Sequence, residues 1–445
     1  MLEFASPELL TLVIFSVALI LILLGHPIAF ALMGSAAFVG ITAVGPKCFD
    51  MFQSGLYVQA TSYSMLAVPL FVFMGNMIET TGITRRMFEA VYVWIGKIKG
   101  SLLVVTIIIG TILAACVGVI AASVTMLGLI GLPMMMERGY DKKLACGAIC
   151  SSGSLGILIP PSVLLVMYGP TAGLSVGKLF MGAMGPGLLL ALLYIAYNLV
   201  MCRLHPEYAP TATEEETNIP VSEKVKMLVV SLLPPVLLIA AVLGSIMFGI
   251  AAPTEAAAVG ALASILLSMA YRSFNIENLK RALQATAKNY AMVQMIMWAA
   301  KAFTTLFLKM GCGNVITNII GNMPGGRWSA FLIIMVITFI LGMFIDWIGI
   351  IMIMVPIISP LVTKLGFDEI WFAMMIITNL QLSFITPPFA YAIFFLKDVT
   401  RPEWNISTGD IIRGIIPYIF IIAFTLILCC IFPQILTWLP SIVVG

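Results

Sequence analysis

Long apolar stretches separated by brief polar ones dominate this chain. Runs able to cross a membrane occur at about 8–24, 27–45, 63–80, 101–118, 120–136, 144–168, 178–201, 227–249, 253–270, 290–308, 328–345, 347–363, 370–396 and 411–440. A membrane helix needs about 20 apolar residues to cross a hydrocarbon core roughly 30 Å thick. The pattern therefore predicts an all-α polytopic membrane protein. Two pairs of runs are separated by only a few residues, within 101–136 and 328–363, and are expected to be re-entrant hairpins. The segment "FNIENLKRALQATA" combines helical apolar spacing with a basic face, which predicts an amphipathic surface helix over 274–288.

Composition agrees with this reading: the chain has 445 residues, 61% hydrophobic and 10% charged. A net charge of +3 is too small for a nucleic-acid partner. The start "MLEFASPELL" lacks the basic stretch of a cleavable signal peptide, so the first helix is expected to stay. Cysteines lie within apolar runs, and Cys146 and Cys150 share a helical face. That spacing fits a metal pair or two small buried hydrophobes. With no histidine near them in sequence, the second reading is preferred and no transition metal is expected. His26 and His205 are the only histidines, which argues against a Ser-His triad and so against an intramembrane enzyme. No G-x-x-x-x-G-K-[ST] run marks an ATP-driven pump. The longest polar segment, 203–226, is acidic in its middle and too short to fold, so it reads as a linker.

Charge sets an orientation. With the N-terminus outside and the runs alternating, five segments fall on the inner side: 84–100, 137–143, 203–226, 271–288 and 397–413. They hold 17 of the 23 Lys and Arg residues, as the positive-inside rule expects. Lys47, Lys178, Lys309, Arg327 and Lys364 fall outside, and Lys301 lies within a span.

The chain also repeats itself. At an offset of 227 residues, Pro133, Gly139, Asp141, Leu155, Pro160 and Pro161 fall on Pro360, Gly366, Asp368, Leu382, Pro387 and Pro388 without a gap. The loop "ERGYDKK" carries three basic residues and its counterpart "TKLGFDE" one, which places them on opposite sides. Two inverted repeats are thus expected, 1–202 and 227–445, joined by the linker 203–226. Each would carry scaffold helices, a hairpin and a broken helix (144–168 and 370–396). Inverted repeats with helices interrupted at matching positions point to secondary transport.

Both interruptions are Pro-Pro pairs, in "SSGSLGILIPPSVLLVMYG" and "TNLQLSFITPPFAYAIFFL". Proline inside a helix costs about 3 kcal/mol, and backbone freed in hydrocarbon must find partners. A proline kink used for packing is one explanation. The other is a duplicated ion and substrate site, in which freed carbonyls and hydroxyls ligate a hard cation and helix N-termini hold a carboxylate. The small polar residues beside the breaks favour the site: Ser151, Ser152 and Ser154 near the first, Thr378, Asn379, Gln381, Ser383 and Thr386 near the second. Two expected hairpin tips add Ser123 and Thr125, and Asp346. An intramembrane carboxylate is a functional candidate, so Asp346 fits a Na⁺ ligand, a proton carrier or a helix cap. Ser154, Thr125, Asn379 and Gln381 are candidates for substrate contact. Glu255, just after Pro253, reads as a first-turn residue facing the helix dipole.

These motifs together resemble the large membrane subunit of tripartite ATP-independent periplasmic (TRAP) transporters. The carrying stretches are "VPLFVFMGNMIETTGI", "LIPPSVLLVMYG", "AAPTEAAAVGA", "VPIISPLVTKLGFDEIWFA" and "ITPPFAYAIFFL", and the similarity runs over essentially the whole length. The resemblance implies an elevator-type carrier in a bacterial or archaeal cytoplasmic membrane, driven by Na⁺ and using no organic cofactor. It also implies a small four-helix membrane subunit, a periplasmic binding protein as partner, and an organic acid as substrate. Carried over residue by residue, one ion would lie where Gly118 and Ser123 face Ser152, Gly153 and Pro160. A second would lie where Asp346 faces Ser383, Thr386 and Pro387. The first tip reads Ala121-Ala122-Ser123 where the family pattern has an "SGS"-like run, so two candidate contributions are missing there. A proton-coupled anion carrier without a binding protein, and a channel, are the competing transport classes.

Overall fold

The computed structural model describes residues 6–211, 219–321, 323–388 and 390–442. Among them the chain is helical with no β-strand. The acidic middle of the linker, 212–218, lies outside the described residues. Eight described helices are long and apolar enough to cross a membrane.

The chain opens with Pro7–Leu23 and Ile28–Ala43, packed on each other, then Cys48–Ala60 and the span Tyr63–Thr80. Ile83–Ile95 leads into a hairpin of Ser101–Val117 and Ile120–Glu137. The first broken helix follows as Lys142–Ser154, a 3-10 turn Leu155–Ile157, and Val163–Ala172. Val176–Leu204 then crosses back. After the linker come the span Val221–Met247, Pro253–Ala270, Ile276–Lys309 and Cys312–Gly321. A second hairpin, Gly326–Gly342 with Trp347–Lys364, precedes the second broken helix, Glu369–Ile385 and Tyr391–Asp398. Thr408–Ile431 and Gln434–Ile442 complete the chain.

Residues aligned by the 227-residue offset do the same local jobs. Gly139 and Gly366 both take left-handed backbone, at φ +76° and +69°. Two residues on, Asp141 and Asp368 each cap a helix, accepting from Leu144 N–H at 2.9 Å and Trp371 N–H at 2.7 Å. Both proline doublets are joined by cis peptide bonds.

The five basic segments lie on one face, because contacts link them in series. Arg86 stacks over the Tyr271 ring at 5.8 Å. Trp94 Nε1 donates to the Lys224 carbonyl at 3.3 Å. The Asp141 amide donates to the Tyr208 carbonyl at 2.9 Å. Lys142 pairs with Asp410 at 2.8 Å and donates to the Asn405 carbonyl at 3.0 Å.

The first hairpin has both feet on this basic face: Gly100 packs on Cys202, and Glu137 runs into the turn before Asp141. The second has its feet at the other end of the second broken helix, where Arg327 lies 5.4 Å over the Phe367 ring and Thr363 donates to Glu369 at 3.0 Å. The hairpins therefore enter from opposite faces.

Some elements differ from the sequence expectation. The segment over 274–288 is the start of one unbroken 34-residue helix, Ile276–Lys309, that continues into the span. Nothing in "ATAKNYAM" stops it, with neither Pro nor Gly present. At 1.5 Å per residue it is about 51 Å long, so its basic end reaches well beyond the hydrocarbon. The inner-side segment 84–100, outside the apolar runs, overlaps a helix, Ile83–Ile95, that buries Ile83, Met87, Phe88 and Val91 along one face. The run at 411–440 is two helices, parted at Phe432 and Pro433.

The helices sort into two groups. Ile276–Lys309 packs on Ile28–Ala43, Cys48–Ala60 and Ala67–Thr80, and Ala67–Thr80 packs on Pro253–Ala270. In the other group Lys142–Ser154 packs on Thr408–Ile431, and Val176–Leu204 on Gln434–Ile442. Both hairpins and both broken helices belong with this second group, which meets the first where Gly75 abuts the Val117 backbone and where Ile276–Lys309 packs on Trp347–Lys364.

Candidate functional site

Each hairpin tip meets a helix break. In the first break, Pro160 and Pro161 bring no amide hydrogen, so the carbonyls of Gly156 and Ile157 lose their helical donors. The Ser162 hydroxyl takes the Ile157 carbonyl at 2.5 Å. The tip residue Gly118 has φ +65°, and a Cβ there would sit 3.1 Å from the Pro161 carbonyl oxygen and 3.5 Å from the Val163 nitrogen. Glycine supplies both the left-handed turn and the close approach. Behind the tip, Gly156 lies against Ser123 and Val119, Gly153 against the Val124 backbone, and Gly110 against Ser152. The structure thus brings Gly118, Ser123, Ser152, Gly153 and the doublet at Pro160 into one junction.

The electrostatics of that junction follow from what ends there. Val163–Ala172 and Ile120–Glu137 begin at it, while Ser101–Val117 and the 3-10 turn Leu155–Ile157 finish at it. Helix starts present free amides and helix ends present free carbonyls, so one point offers donors and acceptors in a dry setting. The hydroxyls of Ser123 and Ser152 donate back to Val119 and Ala148 at 3.1 and 2.6 Å. Each hydrogen is used, which leaves the oxygen lone pairs free to accept or ligate. Ser154 donates to the Ser151 carbonyl at 2.8 Å, and the Ser151 hydroxyl is buried without a partner. Thr125 is half-buried, two residues beyond Ser123.

The second junction is tied differently. Asn379 Nδ2 donates to the Met335 carbonyl at 2.8 Å, and Ser383 Oγ to the Phe339 carbonyl at 3.2 Å. Gly342 admits Ser383, whose hydroxyl lies 2.4 Å from where a Cβ would be. The Thr386 amide takes up the Ser383 carbonyl freed by Pro387, at 3.3 Å, and its hydroxyl donates to Leu382 at 2.6 Å. Asp346 is half-buried at the tip and caps Trp347–Lys364, accepting from the Ile348 amide at 3.4 Å. Tyr391, which restarts the broken helix, lies within electrostatic range of Asp346 and edge-on to Phe384 at 6.2 Å. Gln381 is fully buried with both amide atoms unpartnered, as is the Thr378 hydroxyl. Buried polar groups normally find partners, so such a pair marks a place where a ligand or water completes them.

Ser162, Gly156, Gly342 and Tyr391 join the junctions although sequence reasoning had not singled them out as site residues. Ser162 was the readable case, as the polar residue directly after a Pro-Pro pair. Gly342 and Tyr391 gain their roles only from tertiary pairing. Other candidates are structural or peripheral. Glu255 accepts from the Ala252 amide at 2.9 Å at its helix start. His26 is exposed and His205 half-buried, its ring 3.3 Å from the Glu207 carboxylate. Cys146 and Cys150 are buried, and Cys150 Sγ donates to the Ala392 carbonyl at 3.5 Å. Among the described residues no group of three His, Cys, Asp or Glu is placed to hold a metal ion.

The family described as "Tripartite ATP-independent periplasmic transporter, DctM component" matches residues 15–435. The chain belongs to the DctM family. It is 28% identical over 410 residues to the C4-dicarboxylate TRAP transporter large permease protein DctM of Pseudomonas aeruginosa, covering 92% of this chain and 93% of that one. It is 28% identical over 386 residues to the sialic acid TRAP transporter large permease protein SiaM of Vibrio cholerae, covering 86% and 88%. To the 2,3-diketo-L-gulonate TRAP transporter large permease protein YiaN of Escherichia coli it is 27% identical over 424 residues, covering 93% and 95%. Among solved structures, the YdaH transporter of Alcanivorax borkumensis superposes with a TM-score of 0.64 at 14% identity, covering 96% and 99% of the two chains. The fold is thus that of a membrane transporter, and this DctM-family chain is a TRAP large permease component.

Proposed function

We propose that this permease imports an organic acid using a Na⁺ gradient, with an ion at each tip–break junction. The observation that carries the reading is the pair of junctions, built from hairpins that enter from opposite faces and bring hydroxyl oxygens and half-helix ends to a break. Gly118, Ser123, Ser152, Gly153 and Pro160 would serve one ion, and Asp346, Ser383, Thr386 and Pro387 the other. A cation that neutralises converging helix ends and Asp346 holds the tips against the breaks and favours entry of an anion beside them. Ser154, Thr125, Asn379 and Gln381 would line the substrate path.

The sorting of helices supports an elevator motion, with the group holding the hairpins and broken helices sliding against the group around Ile276–Lys309. The three relatives are named for acidic solutes, which supports an organic acid as cargo. The basic face would be cytoplasmic, leaving the N-terminus outside. A periplasmic binding protein would deliver the solute, and a small four-helix subunit would complete the assembly in a bacterial or archaeal cytoplasmic membrane.

Uptake into proteoliposomes holding the chain, its small subunit and its binding protein tests this. Accumulation should require an inward Na⁺ gradient and the binding protein, and K⁺ should not replace Na⁺. Accumulation driven by a pH gradient without either would assign the chain to the proton-coupled class.

A further inference from the structure

A cleft of about 260 Å³ lies at the seam between the two helix groups, away from both tip–break junctions. Gln59, Ser62, Lys301 and Thr305 line it from the first group. Thr171, the penultimate residue of Val163–Ala172, and Met352 of the second hairpin line it from the other. Because Thr171 and the end of Ile276–Lys309 are near, the cleft sits toward the face opposite the basic one.

Its chemistry is one-sided. Lys301 is half-buried within a membrane-spanning helix, and among the described residues it makes no ion pair. An unpaired ammonium at such a place is expensive and so marks a functional position. Gln59 Nε2 is buried and has no hydrogen-bond partner. A cation and an amide donor without partners thus share one cleft with the four hydroxyls of Ser62, Thr171, Thr304 and Thr305, and among the described residues no carboxylate lines it. The volume lies just under the range of roughly 300–1,000 Å³ typical of small-molecule pockets, which suits a compact solute.

We infer that this cleft is an anion subsite, in which Lys301 and Gln59 hold a carboxylate of the transported solute. This deepens the reading of the chain as an organic-acid permease. Carboxylate oxygens accept from the ammonium and the Gln59 amide, while Ser62 and Thr305 donate at the rim. Since the lining comes from both helix groups, a solute held here bridges the seam along which they would slide. This subsite is separate from the sodium junctions, and the solute would pass from it to the path beside them.

The test uses the full-length protein in nanodiscs of zwitterionic lipid, which leaves a lipid phosphate available equally in every sample. Binding of a panel (lactate, succinate, malate, gluconate and the neutral succinamide) is measured by titration against thermal unfolding. At least one carboxylate should bind the native chain, and succinamide should not. In Lys301→Gln its affinity should fall at least about tenfold, with Lys301→Arg staying within a few-fold and Gln59→Ala intermediate. The unliganded melting temperature of each variant reports its folding. Protection by Na⁺, followed in the same samples, should be unchanged in Lys301→Gln. The inference is overturned if Lys301→Gln binds the carboxylates as the native chain does, or if none of them binds the native chain. Loss of Na⁺ protection in the native chain itself would instead overturn the sodium reading, which keeps the two failures apart.

Discussion

Replacing Asp346 with Asn is expected to lower Na⁺-driven uptake at least about 100-fold while leaving folding and assembly intact. Asp346 has two jobs that this substitution separates. It caps Trp347–Lys364 through the Ile348 amide, and Asn caps a helix as well as Asp does. It also supplies a charge at the tip, and Asn does not. A unit charge about 4 Å from a cation, at an effective dielectric constant near 20, contributes on the order of 4 kcal/mol, more than enough for a 100-fold effect. Asp346→Ala loses the cap as well, at about 1 kcal/mol. The alanine variant should therefore melt lower than the asparagine variant, although both transport equally poorly. Uptake rates at varied Na⁺, with melting temperatures of both variants, check this. Unchanged Na⁺ dependence in Asp346→Asn would remove the residue from the site.

The largest loss of stability should follow Gly147→Leu. Lys142–Ser154 and Thr408–Ile431 cross with backbones in contact, so a Cβ on Gly147 would lie 2.2 Å from the Gly414 carbonyl oxygen. The contact is mutual, since a Cβ on Gly414 would lie 2.0 Å from the Lys143 carbonyl oxygen. No rotamer relieves a clash of Cβ with backbone, and small residues at such crossings are how membrane helices approach closely. The cost should exceed about 3 kcal/mol, which lowers the melting temperature by more than about 5 °C. Gly244→Ala is the contrast. Nothing lies within 4 Å of that position, so this helix-interior change should be neutral or stabilise by up to about 1 kcal/mol. The same crossing joins the first broken helix to the helix after the second, so the Leu variant should also fail to assemble in the bilayer.

Much of this architecture was legible because the bilayer restricts the choices. Apolar runs had to be helices, and Pro160-Pro161 and Pro387-Pro388 had to break them. The charge asymmetry grouped five segments that the structure joins through Arg86, Trp94, Asp141 and Lys142. What escaped depended on weaker signals. Ile83–Ile95 has its apolar positions at helical spacing, but four charges over 84–97 and a short length keep it out of the apolar runs. Continuity through residues 286–292 is masked by the change there from an amphipathic to an apolar pattern, although no helix breaker parts the two. At the junctions, residue types such as Ser123, Ser383 and Asp346 were readable as candidates. The pairing of Gly118 with Pro161, and of Gly342 with Ser383, arises from tertiary contact between segments about 40 residues apart. The Lys301 cleft was hidden for the same reason, since its donors come from helices far apart in sequence.

Equilibrium binding of ²²Na⁺ to the purified full-length chain reads out whether the junctions hold sodium. Saturable binding that K⁺ does not displace is expected, falling by one of the two sites in Asp346→Asn while the site at Gly118 and Ser123 remains. Absence of saturable ²²Na⁺ binding by the folded native chain, or binding left whole in Asp346→Asn, would contradict sodium at the junctions.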